Sequence, residues 1–568
     1  MNESQTKTCQ SCKQNFTVES EDFDFYKKMD VPPPTWCPEC RMMRRLAFTN
    51  IQNLYKRSCT KCAKSIISIY SPEKSMSVYC LQCWWADDWD GTEYAMDYDS
   101  SRPFLEQVKE LAQKTPWQAF ESQYLTIENS EYCNAVAHLK NCYLIFWADY
   151  CENVFYSRFL NKIKDSLDCY RMKDSELCYE DVGCNKCYRT FFSEECDSCS
   201  DVWFSRNCVG CTNCFGCINL RNKNYCIFNE QYSKEEYEKK IEELRPQSFK
   251  TLAEIKKQAV QFWNKHPRRV YTGNSLNFNV SGDYIYESKN AKDCYMVSGV
   301  ENSRYVQFIS VAHARDCYDY SGWGNGVEQI YDSGVIGEGA NNVKFSNECF
   351  PDILNAEYSI YAISSKNIFG CVNLKRKEYC ILNKQYSKED YEKLVSQIKQ
   401  DMAKNPYKDS MGRIWPYGEF LPLEISPFAY NETIAQEYFP KTKEQAIAKG
   451  FSWYEEKINQ YPITVNGNDI PDTIAYIDES ITKETIGCVE CGKAFRITPN
   501  EFNLMKKLNL PLPHSCPGCR QKARFPRTNL PKLYNRTCNK CNKPISTSYS
   551  PDRPEIVYCE QCYQAEVS

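Results

Sequence analysis

The most regular pattern of apolar and polar positions lies in the middle of the chain. Between residues 128 and 226 a small or apolar residue returns every nine positions, separated by asparagine, aspartate, serine and lysine. Side chains that return at a fixed interval indicate coils stacked so that equivalent residues lie above one another. The pattern predicts a β-solenoid with about 18 residues per coil. Its first ladder is Cys133, Cys142, Cys151, Cys169, Cys178, Cys187, Cys196 and Cys214, and its second begins with Ile127, Val136, Ile145, Val154, Ile163 and Met172.

The end of this pattern is repeated. Segment 215–235 recurs 154 residues later as 369–389, with Phe-Gly-Cys, Tyr-Cys-Ile and Gln-Tyr-Ser-Lys-Glu at matching places. Each copy leads into a helical pattern, over 235–244 and 389–398, for which Ser233 and Ser387 are N-cap candidates. The middle of the chain is therefore predicted to contain two solenoid segments, each closed by a helix that covers the open strand edge.

Both ends of the chain carry paired cysteines. Each end contains four Cys-x-x-Cys turns, and the eight cysteines of the first end map onto those of the second at a constant offset of 479 residues. This constant offset indicates an internal duplication. The sixteen cysteines are Cys9, Cys12, Cys37, Cys40, Cys59, Cys62, Cys80 and Cys83, and Cys488, Cys491, Cys516, Cys519, Cys538, Cys541, Cys559 and Cys562.

The spacing of these turns is typical of zinc. Two Cys-x-x-Cys turns across a short hairpin surround one Zn²⁺ with a tetrahedron of thiolates. Seventeen residues separate Cys62 from Cys80, within the usual ribbon range, and 24 separate Cys12 from Cys37, after which a short helix fits a treble-clef arrangement. The sequence thus predicts about four zinc ions in closed four-thiolate sites, which are structural because no position remains for substrate.

A family resemblance rests on the first ribbon of each end. Cys9-x-x-Cys12, the prolines 32–34 and Cys37-Pro-Glu-Cys-Arg41 resemble the "probable zinc-ribbon" family, as do Cys488-x-x-Cys491 and Cys516-Pro-Gly-Cys-Arg520. The whole chain is similar to multi-ribbon proteins of small-genome bacteria and giant DNA viruses. The resemblance implies zinc-binding ribbons and extends through the middle of the chain, but it implies no catalytic residue.

These patterns together predict a mainly β chain with short helices, in which tandem zinc ribbons or treble clefs at both ends flank a Cys/Tyr-rich β-solenoid in two segments. The N-terminal ribbons are predicted to span 1–90, followed by an acidic aromatic linker over 91–126 with a helix over 102–114. The first solenoid segment is predicted over 127–232, its helical closure over 233–270 and the second segment over 271–386. A helical and Pro/aromatic-rich connection with helices over 432–438 and 443–449 is predicted over 387–484, and the C-terminal ribbons over 485–568.

Charge is distributed unevenly along the chain. Residues 1–85 carry +4 and residues 485–568 carry +7, which leaves −15 for the middle of a chain whose net charge is −4. Basic ends on an acidic body favour nucleic acid as a partner of the ribbons, although a solvated helix face explains the same charges. The residues predicted to contact nucleic acid are Arg41, Arg44, Arg45, Lys56, Arg57, Arg520, Lys522, Arg524, Arg527 and Arg536.

The cysteines of the middle leave three interpretations open. They can be small inward-facing residues of the solenoid. Cys208, Cys211, Cys214 and Cys217 resemble a ferredoxin cluster motif, but the last spacing and the following Ile218 depart from it. In the third interpretation, an additional zinc ion is bound by four cysteines whose spacing suits it, Cys184, Cys187, Cys196 and Cys199.

Three functions follow from these features. The first is a non-enzymatic zinc-binding scaffold whose ribbons contact nucleic acid, and the second is a protein–protein assembly component that uses the solenoid face. The third is an enzyme with an additional metal or Fe–S site, which no catalytic motif supports. The first residues do not resemble a signal peptide, and no later stretch is apolar over the length that a membrane span needs. A reducing cytoplasm is therefore expected, with no membrane partner and no evident small-molecule substrate.

Overall fold

The computed structural model describes residues 3–274, 276–456 and 461–567. The protein is mainly strand, with 32% strand and 25% helix. The chain divides into two compact units, each built from two separate stretches of sequence: unit 1 is Met1–Phe120 with Tyr271–Glu455, and unit 2 is Glu121–Val270 with Glu456–Ser568. Each unit therefore combines the ribbon pair of one end with one half of the repetitive middle.

Unit 2 contains a stack of parallel strands, called stack 1. Each strand pairs with the next at a spacing of twelve positions, as Arg158 with Tyr170 and Ser200 with Thr212. The predicted coil of about 18 residues is therefore wrong, because the repeat in register is shorter. The strands are Ile127–Glu128, Asn134–Lys140, Phe146–Phe155, Arg158–Leu167, Tyr170–Glu176, Tyr188–Phe191, Ser200–Trp203, Thr212–Phe215 and Asn224–Ile227, with Glu230–Gln231 added antiparallel at the end.

The backbone of stack 1 repeats every third residue. From Asn129 to Phe228 nearly every third residue has a positive φ close to 50°, which asparagine and aspartate tolerate better than most residues. Most of the side chains that follow these positions face the interior and are buried, and both predicted ladders contribute to this interior set. The cysteine spacing of nine positions and the strand register of twelve positions are both multiples of this three-residue repeat. The cysteine spacing therefore did not reveal the register of the strands.

Unit 1 contains the corresponding stack 2. Its strands also pair in parallel, at a spacing of twelve positions at both ends and of thirteen or fourteen in the middle, as Arg304 with Tyr318 and Tyr318 with Tyr331. Isoleucine, valine and alanine fill much of its interior. The strands are Gly282–Tyr286, Lys289–Lys292, Cys294–Ser298, Val300–Arg304, Gln307–Val311, Ala314–Arg315, Tyr318–Gly324, Val327–Gly337, Asn341–Lys344, Asn347–Cys349, Leu354–Glu357, Lys366–Phe369 and Glu378–Ile381, with Lys384–Gln385 antiparallel at the end.

The last turn of each stack is closed by the same device. Asn229 accepts a hydrogen bond from the backbone of Ile218 at 2.9 Å and donates to its carbonyl at 3.0 Å, and Asn383 makes the same pair of bonds with Val372. A helix follows each closure, Lys234–Leu244 and Lys388–Lys404. The predicted N-caps are confirmed, because the hydroxyl of Ser233 accepts from the backbone of Glu236 and that of Ser387 accepts from Asp390.

Outside the stacks, each unit consists of hairpins, short paired strands and helices. Unit 1 has the hairpins Gln5–Thr8 with Asn15–Val18 and Tyr55–Ser58 with Ser65–Ser68, the paired strands Val78–Tyr79 with Trp117–Gln118 and Tyr407–Lys408 with Ile414–Trp415, and the helices Ser20–Lys28, Pro38–Leu46, Leu81–Trp85, Phe104–Lys114, Ala435–Tyr438 and Lys443–Ile447. Unit 2 has Ile486–Gly487 between Val465–Asn466 and Ala494–Phe495, the hairpin Tyr534–Thr537 with Pro544–Thr547, the pair Arg268–Arg269 with Val557–Tyr558, and the helices Phe249–Trp263, Pro499–Leu508, Pro517–Arg524 and Glu560–Val567.

Candidate metal centres

The first cysteine pair of every ribbon lies in a tight turn at a hairpin. In the first ribbon the amide of Cys9 donates to the carbonyl of Gln14 at 2.9 Å, and the amide of Lys13 donates back to Cys9 at 3.1 Å. Closing this turn requires a left-handed residue, here Lys13 with φ 63°. The other three ribbons use Ala63, Gly492 and Asn542 in the same way, with φ of 58°, 70° and 60°.

The second cysteine pair lies at the start of a helix. Cys37, Cys80 and Cys516 are the N-cap residues of Pro38–Leu46, Leu81–Trp85 and Pro517–Arg524. Cys559 directly precedes Glu560–Val567. A helix N-terminus stabilises anionic sulfur through its free amides and its dipole.

A backbone amide also joins the two pairs of each ribbon. The amide of Cys37 points at the sulfur of Cys9 from 3.2 Å, and the amide of Cys80 lies 3.3 Å from the sulfur of Cys59. In the C-terminal copy the amides of Cys516 and Cys559 lie 3.2 Å from the sulfurs of Cys488 and Cys538. Each ribbon therefore holds its sulfurs with the same backbone contacts.

The sixteen cysteines form four groups of four, as the sequence predicts. Within each group all four sulfurs lie within 4.8 Å of one another. One Sγ–Sγ distance per group is 3.7 Å (Cys12–Cys37), 3.9 Å (Cys62–Cys80), 3.8 Å (Cys491–Cys516) and 3.8 Å (Cys541–Cys559). Sulfurs at the corners of a tetrahedron with metal–sulfur bonds of about 2.3 Å lie about 3.8 Å apart, so the groups have the size that a tetrahedral metal ion needs.

The pKa values within each group diverge. Burial raises the pKa of Cys488, but amide hydrogen bonds from Cys516 and Cys491 outweigh it and lower that pKa to about 6. The pKa of Cys562 is raised to about 12, first by its interaction with Cys559 and then by burial. Similar shifts lower the pKa of Cys538 to about 6 and raise that of Cys83. Each group therefore combines a thiol of lowered pKa with at least one of raised pKa, and a bound cation would favour the thiolate form of both.

In unit 1 the helix that begins at the first metal group carries a buried cluster of arginines. Arg41 lies 2.8 Å from Asp319, and Arg44 lies 2.6 Å from Asp332. Arg45 also binds Asp332, at 2.6 Å. The three arginines and two aspartates are at most 1% exposed, so these ion pairs are fully desolvated. The two aspartates belong to stack 2, and the ion pairs therefore fasten the first ribbon to the stack. We call this set clamp 1.

Unit 2 repeats the arrangement as clamp 2. Arg520 and Arg524, which lie 479 residues after Arg41 and Arg45, bind Asp168 of stack 1 at 2.9 and 2.8 Å. In both clamps the first arginine faces a tyrosine ring, Tyr305 in unit 1 and Tyr156 in unit 2. Arg527 adds an ion pair with Glu194 at 2.7 Å.

These positions correct the prediction of a nucleic-acid surface. Arg41, Arg44, Arg45, Arg520 and Arg524 are buried in ion pairs, so a phosphate backbone cannot reach them. The half-buried Arg527 pairs with Glu194, and the half-buried Arg57 and Arg536 donate to backbone carbonyls of their own ribbons. Lys56 and Lys522 are the two that remain exposed among the ten.

Sequence reasoning missed the carboxylates that receive the arginines. Asp168 and Asp319 stand at left-handed positions of the two stacks, with φ of 56° and 50°, from which their side chains reach the ribbon helix. Arginines spaced three and four residues apart share one helix face, and this spacing was the available signal for a common buried partner.

The cysteines of the middle do not join the metal groups. Within residues 3–274, 276–456 and 461–567, the groups that meet the 4.8 Å criterion are the four at the chain ends. The stack thiols are buried and donate to the carbonyl two residues earlier, as Cys187 to Asn185 at 3.3 Å and Cys211 to Val209 at 3.5 Å. These contacts support the packing interpretation over the Fe–S cluster and the additional zinc.

Comparisons with protein-family models, with curated proteins and with solved structures found no match to this chain. In the part of the chain that the structure describes, every helix is too short or too polar to cross a membrane. The function is therefore inferred from the geometry of the cysteine groups and of the clamps.

Proposed function

We propose that this chain is a zinc-stabilised scaffold, in which four structural Zn²⁺ ions fold the two ribbon pairs and each ribbon pair is fastened to one stack. The observation that carries the proposal is the set of four groups of four sulfurs, each of the size of a tetrahedral zinc site. A hairpin turn supplies one half of each site and a helix start the other, as in a treble clef. Four thiolates fill the coordination sphere, so the metal supplies folding energy rather than catalysis.

The two stacks are the spacers of this scaffold. Parallel pairing at intervals of twelve to fourteen positions and an interior set that repeats at every third position support a β-solenoid. Turns stacked in this way bury a continuous core and leave outward faces for partners. The resemblance to multi-ribbon proteins of the "probable zinc-ribbon" family belongs to the same proposal. Thiolate sites of this kind persist in a reducing compartment, which supports a cytoplasmic location.

Because most of these arginines are buried or paired, the partner class that we favour is no longer nucleic acid. Of the ten basic residues considered for nucleic acid, Lys56 and Lys522 stay exposed, so these ten do not together form a phosphate-binding surface. We therefore favour the alternative, a protein partner bound on the outward faces of the stacks. Nucleic-acid binding would be retained as a function if the full chain bound an oligonucleotide with an affinity that collapsed between about 50 and 200 mM salt.

The proposal is tested by removing one ligand at a time from the full chain. Cys12→Ser is expected to lower the zinc content by one ion, because it removes one of four sulfurs from the first group. Cys142→Ser is the matched control, since Cys142 is a buried thiol of stack 1 whose proton is donated to the carbonyl of Lys140 at 3.4 Å.

Elemental analysis after gel filtration gives the metal content of both variants. Loss of one ion from Cys12→Ser alone supports the proposal. Equal metal content in wild type and Cys12→Ser, or loss of metal from Cys142→Ser, would contradict it.

A further inference from the structure

Metal ligands and clamp arginines lie on the same short helices. In unit 1 the helix Pro38–Leu46 starts at the ligand Cys37, and the ligand Cys40 directly precedes Arg41. In unit 2 the ligand Cys519 directly precedes Arg520 on the helix Pro517–Arg524. A metal ion that holds the first turn of such a helix therefore also fixes the direction in which its arginines leave the helix.

The stacks depend on these arginines. Asp319 is 0% exposed and Asp332 is 1% exposed, so neither carboxylate is hydrated. Burial raises the pKa of Asp319, while Arg41 and Arg45 oppose that rise. A buried charge that loses its partner is strongly destabilising, because its desolvation is no longer compensated. The ribbon helix packs on the strands Tyr318–Gly324 and Val327–Gly337, which carry these aspartates. If the helix leaves, the aspartates lose their partners and these strands of stack 2 become exposed to solvent.

We propose that metal binding to the first ribbon of each pair is thermodynamically linked to the ion pairs of its clamp. Each clamp helps the ribbon to retain its metal, and each metal stabilises a stack that contributes no metal ligand. The linkage rests on the proposed function, since it requires metal in the groups of Cys9 and Cys488. Linkage is reciprocal: if the metal favours the docked helix, the docked helix favours the metal by the same factor.

The second ribbon of each pair lacks this connection and is an internal control. Its helices, Leu81–Trp85 and Glu560–Val567, contain no arginine. The helix Leu81–Trp85 packs instead through Trp84, whose ring lies 4.6 Å from the ammonium group of Lys375. Metal release from the groups of Cys59 and Cys538 is therefore expected to be insensitive to the two clamps.

The experiment uses two single variants of the full chain, Asp319→Asn in clamp 1 and Asp168→Asn in clamp 2. Each zinc-loaded protein is mixed with a chelator and N-ethylmaleimide, and peptide mass spectrometry then follows the alkylation of the sixteen ribbon cysteines over time. We expect Asp319→Asn to accelerate alkylation of Cys37 and Cys40 by about 5- to 150-fold and to leave Cys516 and Cys519 unchanged. Asp168→Asn is expected to do the reverse.

A second measurement covers the case in which a clamp variant is poorly folded. Cys12→Ser is expected to increase amide hydrogen exchange in the stack 2 strand Tyr318–Gly324, whereas Cys62→Ser, which empties the second ribbon, is expected to leave that strand unchanged.

The outcomes separate the linkage from the function on which it rests. A wild-type chain without metal would overturn the proposed function. The linkage alone would be overturned by a metal-loaded chain in which the clamp variants release every metal at the wild-type rate or accelerate the release of all four metals alike. It would also be overturned if Cys12→Ser left the strand protected.

Discussion

Replacing Arg44 by glutamine removes the charge at the centre of clamp 1. Its guanidinium binds Asp332 at 2.6 Å and Glu419 at 2.9 Å and lies 4.6 Å from the ring of Trp36. Removing one partner of a buried ion pair costs about 3–5 kcal/mol. We expect the lower end of that range, because Asp332 keeps Arg45 at 2.6 Å and Glu419 keeps the amide of Thr35 at 2.7 Å. About 3 kcal/mol multiplies the open population of unit 1 roughly 150-fold.

Hydrogen exchange in urea, resolved by peptide, is the suitable assay because a chain with two units need not unfold in one step. Arg44→Gln should lower the protection of peptides in unit 1 and leave those of unit 2 unchanged. Lys56→Gln is the matched control: Lys56 is exposed on the neighbouring ribbon, and its variant should lie within about 0.5 kcal/mol of wild type. An Arg44→Gln protein as stable as the Lys56→Gln control would refute the clamp.

Two further predictions concern the packing of one stack and a buried carboxyl of the other. Gly370 has a φ of +65°, and a Cβ at this position would lie 2.4 Å from Cζ of Phe104. Gly370→Ala should therefore destabilise unit 1 by about 1–3 kcal/mol in urea unfolding. Gly326→Ala is the control and should cost less, because its φ of +73° is similar but a Cβ there meets nothing within 4 Å. Equal effects of the two would argue against close packing at Phe104. Burial raises the pKa of Asp181 to about 7, so its contribution to the stability of unit 2 is full below about pH 4 and is lost as the pH rises towards 7. Asp181→Asn should therefore be roughly 2–4 kcal/mol more stable than wild type at pH 8, and an unchanged pH dependence of urea unfolding would contradict this.

Local signals in the sequence predicted the local features well. The Cys-x-x-Cys spacing and the constant offset placed all sixteen sulfurs in the correct groups, because the four ligands of each site lie within one short ribbon. Ser233 and Ser387 were predicted as N-caps, and the hydroxyl of each accepts from a backbone amide in the first turn. Capping depends on neighbours within three residues, so the sequence contains the whole signal.

Long-range features were predicted poorly. The register of the stacks was missed because interior positions recur at every third residue and cysteine occupies only some of them. The pairing of each ribbon pair with one stack joins residues such as Arg41 and Asp319, whose separation in sequence leaves no periodic trace. For the same reason Arg41 and Arg520 were assigned to the surface. A charged residue is usually exposed, and only a three-dimensional structure shows the buried carboxylate that pairs with it.

The metal content of the wild-type chain is the most direct test of structural zinc in the ribbons. Protein purified without added metal, under anaerobic conditions, is analysed for zinc and iron by inductively coupled plasma mass spectrometry. The four groups of sulfurs predict four zinc ions per chain and no iron. A folded chain that contains no zinc, or that contains iron in place of zinc, would show that the ribbons are not zinc sites.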